Sequence, residues 1–160
     1  MGIFADYRNR RRIAMQPRRI SSGAMILEDK DGRALTVKSG YKPHWTFPGG
    51  IIDAGETPKE AAIRETFEEI GVRVDPKNVE FVAVINRRSD YADTYQFLFK
   101  ADLPSGALDN IKLQPEEIDE YAMITKAQAG TNDRYYGEAI KHWVAGRSGY
   151  LEQIFEKASA

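Results

Sequence analysis

Residues 50–72 read GIIDAGETPKEAAIRETFEEIGV, and this stretch predicts a helix with two defined ends. Thr57 can act as an N-cap, because its hydroxyl can accept a hydrogen bond from a free amide of the first turn. Pro58 suits the first helical position, and Glu60 can complete a capping box. Gly71 is placed to end the helix, since glycine readily adopts the left-handed conformation of a C-cap.

Two sets of side chains separate onto opposite faces of this helix at about 100° per residue. The apolar set is Ile63, Phe67 and Ile70, and the acidic set is Glu65, Glu68 and Glu69. Carboxylates three and four residues apart repel one another and weaken a helix by a few tenths of a kcal/mol per pair. A hard divalent cation such as Mg²⁺ would offset that repulsion. Taken alone, the three glutamates favour an ordinary solvent-facing acidic stripe.

The full pattern of the stretch resembles the Nudix box, G-x5-E-x7-R-E-U-x-E-E-x-G-U, in which U is a bulky aliphatic residue. The matching positions are Gly50, Glu56, Arg64, Glu65, Glu68, Glu69, Gly71 and Val72. Thr66 departs from the pattern, but its methyl group can pack at the edge of the core, so we expect only a slightly weaker helix. The resemblance implies an α/β fold, the Nudix-type α/β/α sandwich with a mixed β-sheet.

The resemblance also implies a metal site at the acidic face. Glu65, Glu68 and Glu69 would be the catalytic residues and would bind one or more Mg²⁺ ions, for which Mn²⁺ can substitute. The backbone carbonyl of Gly49 would be a further metal ligand. This donor set consists of oxygen atoms only, which is what Mg²⁺ prefers.

Two residues of the box are candidates for support or for an extra ligand. Glu56 precedes the helix by one residue, so it either lies near the site through the loop or supports the helix N-terminus electrostatically. Arg64 can pair with Glu60 or with Glu68, one turn away on either side. In that role it would orient a carboxylate and would not contact substrate.

A further glutamate is often recruited in this family from a loop after the box. The acidic segment 116–120 offers candidates, of which Glu117 is our choice. The alternative interpretation is an exposed acidic turn that leads into the next strand.

The activity implied by the resemblance is Mg²⁺-dependent pyrophosphohydrolysis. Water would attack phosphorus in the diphosphate linkage of a nucleotide or nucleoside diphosphate derivative, with Glu65 or a loop glutamate accepting the proton. The alternative is a catalytically silent Nudix-fold sensor that binds nucleotides, and degenerate carboxylates would mark it. The box carboxylates are intact here, so an enzyme is the prediction.

Substrate recognition depends on residues outside the box. Arg87 could clamp phosphates at the end of a predicted strand, and Trp45 could stack on a base. Residues of both kinds are more often ordinary surface or core residues. His44 and His142 have no obvious partner in the sequence, and neither is assigned a role.

The rest of the chain alternates between predicted strands and helices. Residues 22–27 and 34–37 predict a hairpin, because the Asp31-Gly32 step between them is a turn signal. Residues 45–47 predict a short strand that runs into a tight loop at Gly49 and Gly50, where glycine tolerates unusual backbone angles. Further strands are predicted at 80–85, 95–99 and 122–124, and an amphipathic helix is predicted at 134–145.

The length and charge of the chain predict one domain without a strong net electrostatic field. The chain has 160 residues, 23 basic and 24 acidic side chains, and no cysteine. The near-zero balance argues against a stable nucleic-acid or membrane partner, and the lack of cysteine excludes disulfides and thiolate zinc sites. We expect a cytoplasmic protein, either monomer or homodimer, that acts on a small nucleotide-like diphosphate.

The N-terminal region carries a cluster of basic residues, namely Arg8, Arg10, Arg11, Arg12, Arg18 and Arg19. Such a cluster is compatible with a phosphate-binding patch or a transit sequence. Short charged termini are usually solvated and poorly ordered. We therefore predict a basic arm at 1–19 and a single Nudix-type domain at 20–160.

Overall fold

The computed structural model describes residues 14–16, 18–88, 92–131 and 136–154. Within these ranges, seven strands form one sheet. The strands are β1 (Ile20–Glu28), β2 (Ala34–Lys38), β3 (Gly49–Ile51), β4 (Glu80–Arg88), β5 (Thr94–Asp102), β6 (Glu120–Ile124) and β7 (Gly149–Ile154). The helices are α1 (Pro58–Ile70), α2 (Lys126–Thr131) and α3 (Glu138–Val144), with short 3₁₀ helices at Pro76–Asn78 and Ala107–Asn110.

The sheet is mixed, as predicted. Its strand order is β6-β2-β1-β5-β4-β7, and β3 pairs with β1 outside this path. The pairs β1–β5 and β4–β7 are parallel, whereas the remaining pairs are antiparallel. The predicted hairpin is confirmed, and its turn closes with a hydrogen bond from the Gly32 amide to the Asp29 carbonyl at 3.0 Å. Gly32 has a φ of 75° there, which favours glycine.

Two hydrophobic cores lie on opposite faces of the sheet, because successive side chains of a strand point to opposite sides. Ala24 and Ile26 of β1 join the core that includes Ile140 of α3. Met25 and Leu27 of the same strand join the core that includes Ile70 of α1. The sheet is therefore sandwiched between α1 on one face and α2 with α3 on the other. This confirms the predicted α/β/α class.

The predicted ends of α1 are also confirmed. The Thr57 hydroxyl accepts a hydrogen bond from the Glu60 amide at 3.3 Å, and the Glu60 carboxylate accepts one from the Thr57 amide at 2.8 Å. Gly71 ends the helix with a φ of 74°, and its amide donates to the Phe67 carbonyl. Local side-chain chemistry thus sets both boundaries.

The predicted strand at 45–47 is wrong. Trp45 and Thr46 form isolated bridges, and the strand lies further on, where Gly49 pairs with Ala24 of β1. Gly49 and Gly50 are therefore extended and do not form a tight loop. Glycine is needed at Gly49 because a Cβ there would lie 2.6 Å from the Cα of Ala24 and would also overlap the carbonyl oxygen of Gly23.

The predicted helix at 134–145 is too long at its N-terminal end. Residues 132–135 lie outside the described ranges, and Tyr136 forms a parallel bridge with Trp45. Gly137 is extended at the N-cap, and its amide donates to the Trp45 carbonyl at 2.9 Å. This link to the chain before β3 holds Tyr136 and Gly137 out of the helix. The apolar spacing further on does place Ile140 in the core.

Most of the predicted basic arm lies outside the described residues, but Arg19 is in contact with the sheet. Its guanidinium donates to the Asn86 side-chain oxygen at 2.7 Å and pairs with Asp93 at 3.2 Å. It also lies 4.8 Å from the ring centroid of Tyr95. These contacts hold Arg19 against β4 and β5. The role of the residues before Ala14 stays a prediction.

No helix within the described ranges combines the length and the apolar character needed to cross a membrane.

Candidate active site

The exposed and buried faces of α1 differ from those predicted by spacing alone. Glu69 is only 3% exposed, and Thr66 is completely buried with its hydroxyl donating to the Ala62 carbonyl. Phe67 is 41% exposed and lies under the Arg73 guanidinium, 4.1 Å from its ring centroid. The prediction that Phe67 shares the core face is therefore wrong. The face of α1 that packs on the sheet is rotated towards Glu69. The small buried residues Ala61 and Ala62 allow the helix to approach the sheet closely on this face.

That close approach depends on glycine in β1. A Cβ on Gly23 would lie 3.0 Å from the Ala62 amide nitrogen and would overlap the carbonyl oxygen of Pro58. The helix backbone therefore lies directly against the β1 backbone. As a result, the carboxylates at the far end of α1 are held close to β3.

Glu69 is joined to β3 by a hydrogen bond. The Gly49 amide donates to Oε2 of Glu69 at 2.9 Å. Burial raises the pKa of Glu69 to about 7, although the Gly49 amide and the charge of Lys42 oppose this shift. A buried carboxylate with one hydrogen-bond donor and no bound counter-charge is costly. A cation at this position would favour its charged form.

The carboxyl group of Glu65 lies beside Gly50, the first residue of the box. A Cβ on Gly50 would overlap the carboxyl group of Glu65 and would lie 2.8 Å from its Oε2. Burial raises the pKa of Glu65, while its hydrogen bond with Arg64 lowers it. The lack of a side chain at Gly50 thus leaves space that the Glu65 carboxylate occupies.

Glu65, Glu68 and Glu69 form an acidic cluster at the end of α1. Arg64 holds the exposed side of this cluster in place. Its Nε and Nη2 donate to the two carboxylate oxygens of Glu56 at 2.9 and 3.0 Å. Its Nη1 donates to Glu65 at 2.8 Å and to Glu68 at 2.9 Å, and Nη2 also reaches the Ile51 carbonyl at 3.1 Å. These hydrogen bonds, first of all that with Glu56, raise the pKa of Arg64. Arg64 therefore carries a positive charge that holds three carboxylates in place.

Arg64 pairs with one of its two predicted partners, and Glu56 pairs with Arg64. Arg64 pairs with Glu68, whereas Glu60 is engaged in the capping box and forms no ion pair with Arg64. Glu56 is connected to the cluster through Arg64, and its Oε2 also accepts from the Asp53 amide at 3.0 Å. These two hydrogen bonds, with that of Arg64 the larger contribution, lower the pKa of Glu56. Glu56 thus lies beside the site through the loop.

Glu117 is brought to the same end of α1 by the segment that precedes β6. The amides of Lys112 and Gln114 donate to the carbonyls of Ile70 and Glu69, each at 3.0 Å. These hydrogen bonds satisfy carbonyls that the end of a helix leaves without partners. Glu117 itself is exposed, and its charge contributes to raising the pKa of Glu65 and Glu69.

The donors fit a hard cation by their chemistry. In the part of the chain that the structure describes, no three His, Cys, Asp or Glu side chains converge as one set of metal ligands. Glu65 and Glu68 are bonded to Arg64, and Glu69 is bonded to the Gly49 amide. All three nevertheless offer oxygen atoms at the same end of α1, and burial disfavours the charge of two of them. Oxygen donors of this kind are the ligands that Mg²⁺ prefers.

A cavity of about 460 Å³ lies beside Gly49 and Gly50, on the face of the sheet that carries α3. Small-molecule sites usually have volumes of roughly 300 to 1,000 Å³. The polar part of its wall includes Lys42, His44, Arg87, Gln96, Tyr136 and Lys141. The cavity and the acidic cluster therefore meet at Gly49 and Gly50.

The two predicted substrate-binding residues have different positions. Arg87 lines the cavity, and its Nη2 donates to Oε1 of Gln96 at 2.5 Å. The Trp45 side chain instead packs against the core beneath α3 and is not part of the cavity wall. Stacking by Trp45 therefore has no support from its position. Among the described residues, His44, Phe47 and Tyr136 are the ring side chains that line the cavity.

Sequence reasoning missed most of the cavity wall. Lys42, Gln96 and Lys141 carry no motif, and they come from a loop, a strand and a helix that only the tertiary fold brings together. The position of Gln96 could have been predicted in part. Gln96 alternates with Tyr95 and Phe97 along the predicted strand, so its side chain must face the opposite side of the sheet.

Replacing Arg64 by Lys is expected to weaken the apparent affinity for the activating metal. A single ammonium group cannot reproduce the five hydrogen bonds of the guanidinium, so Glu56, Glu65 and Glu68 would lose their fixed orientation. We expect the Mg²⁺ concentration for half-maximal activity to rise by about tenfold or more. A Mg²⁺ titration measures this. Arg73→Lys is the matched control, and equal titration curves for both variants would contradict the role of Arg64.

Comparisons with known proteins agree with this arrangement. A sequence model of the NUDIX domain matches residues 17–145. Nudix hydrolase 3 from Caenorhabditis elegans is 33% identical over 100 residues, which cover 59% of this chain and 41% of that protein. An RNA pyrophosphohydrolase from Francisella tularensis subsp. mediasiatica is 42% identical over 60 residues, which cover 38% of this chain and 37% of that protein. The matched segments thus span about two fifths of both relatives.

A solved structure shares the fold over a larger fraction. The MutT NUDIX hydrolase from Burkholderia pseudomallei aligns with a TM-score of 0.64 and 21% identity, covering 81% of this chain and 97% of that one. At this identity the similarity concerns the fold alone. The NUDIX model, in contrast, extends over most of the chain and includes the complete box on α1. The chain therefore belongs to the Nudix hydrolase family.

Proposed function

We propose that this protein is a divalent-cation-dependent pyrophosphohydrolase. Its substrate is a nucleotide or nucleoside diphosphate derivative, and water attacks phosphorus in the diphosphate linkage. The relatives named Nudix hydrolase and RNA pyrophosphohydrolase support this class of reaction. They do not decide the substrate, because the matched segments cover only part of each relative.

One observation carries the proposal, namely that the acidic cluster adjoins the cavity. Gly49 and Gly50 line the cavity, Gly49 donates to Glu69, and Gly50 lies against the Glu65 carboxylate. A substrate in the cavity would therefore present a phosphate next to these carboxylates. Three carboxylates at that position would repel the phosphate unless a cation lay between them.

Glu65, Glu68 and Glu69 are the residues that would hold the cation. When bound, a divalent cation supplies positive charge that offsets the charge of the diphosphate. Arg64 would keep Glu65 and Glu68 oriented through its hydrogen bonds. The charge of Lys42 lowers the pKa of Glu69, so Lys42 acts on the acidic cluster as well as on the cavity that it lines.

A carboxylate is the natural acceptor for the proton of the attacking water. Glu65 is the first candidate, because it lies at the edge of the cavity beside Gly50. Glu117 is the alternative, since it is exposed and its charge acts on both Glu65 and Glu69. No covalent intermediate is needed for either assignment.

Hydrolysis in ¹⁸O-labelled water tests the proposal. The panel comprises nucleoside triphosphates, nucleotide sugars, ADP-ribose, dinucleoside polyphosphates and a 5′-triphosphorylated RNA, each with Mg²⁺ and with EDTA. We expect turnover of at least one compound, only with Mg²⁺, and the label in a phosphate product. Label on a sugar carbon would contradict attack at phosphorus. Nucleotide binding without turnover of any compound would favour the catalytically silent sensor.

A further inference from the structure

The cavity beside the acidic cluster carries more positive than negative charge. Its wall contains three cationic side chains, Lys42, Arg87 and Lys141, and one carboxylate, Glu138. Glu138 is paired with Lys141 at 2.9 Å. The wall thus has an excess of two positive charges. Within the described ranges, no carboxylate forms an ion pair with Arg87.

The charge of Glu138 acts on Arg87, but Glu138 is already paired with Lys141. The Arg87 side chain is partly buried in the cavity wall, its hydrogen bond to Gln96 uses one nitrogen, and its buried Nε has no hydrogen-bond partner among the described residues. Burying a guanidinium without an anion or a full set of acceptors is costly. An anion in the cavity would supply both the charge and the acceptors that Arg87 lacks.

His44 lies in the same positive field. Burial lowers its pKa, and the charges of Lys42, Arg87 and Lys141 lower it further. A neutral imidazole can still donate one hydrogen bond to an anion. Lys42, Arg87 and Lys141 thus all lie close enough to His44 for their charges to act on it.

We propose that this cavity binds a phosphate monoester group of the substrate that is separate from the scissile diphosphate, with Arg87, Lys42 and Lys141 as its cationic partners. The inference rests on the proposed function, because it assigns the cavity to the same substrate. A phosphate monoester carries about −1.5 to −2 charges at neutral pH, which matches the excess charge of the wall. The guanidinium of Arg87 is suited to phosphate because it can donate two parallel hydrogen bonds.

Calorimetric titration of the full chain in EDTA tests this proposal. The probes are inorganic phosphate and the 2′-, 3′- and 5′-monophosphates of adenosine, with adenosine as the uncharged comparison. Without metal, the acidic cluster repels phosphate, so binding reports on the cavity. We expect a single site for phosphate and for at least one monophosphate, and at least about tenfold weaker binding of adenosine than of that monophosphate. Phosphate should also raise the pKa of His44 in an NMR titration.

Variants locate the site. Arg87→Gln should weaken phosphate binding by at least about tenfold, and Lys141→Gln should weaken it severalfold. Arg88→Gln is the matched control, since Arg88 is the exposed neighbour on β4, and it should bind as the wild type does. Lys141 is partly exposed, so its substitution keeps the test valid even if Arg87→Gln fails to fold. Adenosine binding as tightly as its monophosphates, or unchanged phosphate binding in folded Lys141→Gln and Arg87→Gln, would overturn the proposal.

Kinetics separates this inference from the proposed function. With a hydrolysed substrate, Arg87→Gln should raise KM by at least about tenfold with little effect on kcat, since it removes binding remote from the reacting atoms. An unchanged KM would refute the phosphate-binding site but would not contradict the proposed hydrolase activity. If the protein hydrolysed no compound but still bound phosphate in a way that depends on Arg87, the proposed hydrolase activity would be refuted. The phosphate-binding site would then not be contradicted.

Discussion

Replacing Glu69 by Gln is expected to lower turnover by at least about a hundredfold, the scale seen when a key electrostatic group is removed from a catalytic site. Glu69 is almost completely buried at the end of α1 and accepts a hydrogen bond from Gly49. Glutamine can keep that hydrogen bond through its amide oxygen, but it cannot supply a negatively charged ligand. Steady-state rates with a substrate identified in the panel measure the loss.

The fold should survive this substitution. Glutamine has nearly the same helix propensity as glutamate, and the change removes a buried charge next to Glu65 and Glu117, whose charges disfavour it. In EDTA we therefore expect a melting temperature equal to or above that of the wild type. Mg²⁺ should raise the melting temperature of the wild type by binding the native state, and the variant should lose much of that increase.

Glu80→Gln is the matched control for this experiment. Glu80 is exposed at the start of β4, so the same loss of charge there should leave turnover and the Mg²⁺ effect unchanged. Full activity of Glu69→Gln would show that the acidic cluster is structural. So would marked unfolding of the variant combined with no effect of Mg²⁺ on the wild type.

Replacing Gly49 by alanine and replacing Gly50 by alanine are expected to have different effects on stability and turnover. In Gly49→Ala the new methyl group would meet the backbone of β1, including the Cα of Ala24 at 2.6 Å. Backbone atoms cannot move aside cheaply, so we expect a loss of about 3 kcal/mol of stability, the upper range for overpacking. In Gly50→Ala the methyl group would meet the Glu65 carboxyl group, which can rotate away.

Gly50→Ala should therefore remain folded but lose at least about tenfold in turnover, because Glu65 is displaced from the edge of the cavity. Thermal melts in EDTA and rates with Mg²⁺ separate the two variants. Gly130→Ala is the control, since the nearest atom to its added Cβ lies 3.6 Å away. Equal stability of the Gly49 and Gly50 variants, or full activity of Gly50→Ala, would contradict the close approach between β3, β1 and α1.

Helix α1 was predictable from the sequence to the residue, because caps and breakers act within one turn. Thr57, Pro58 and Glu60 form the start, and Gly71 forms the end, without help from distant parts of the chain. The carboxylate positions of the box followed from the same short stretch. The strands with clear alternation, such as β5, were also predictable, since a period of two residues is a local property.

What the sequence determined by itself is thus the acidic helix, its boundaries and the alternation of strands around it. Only the tertiary structure decided that Glu69 is buried, that Gly49 and Gly50 serve close packing rather than a turn, and that Glu117 lies at the same end of α1. It also assembled the cavity, whose cations Lys42, Arg87 and Lys141 come from three separate elements. The physical reason is that burial and charge arise from what packs against a residue, and those neighbours are set by the pairing of strands and the docking of helices far apart in the chain.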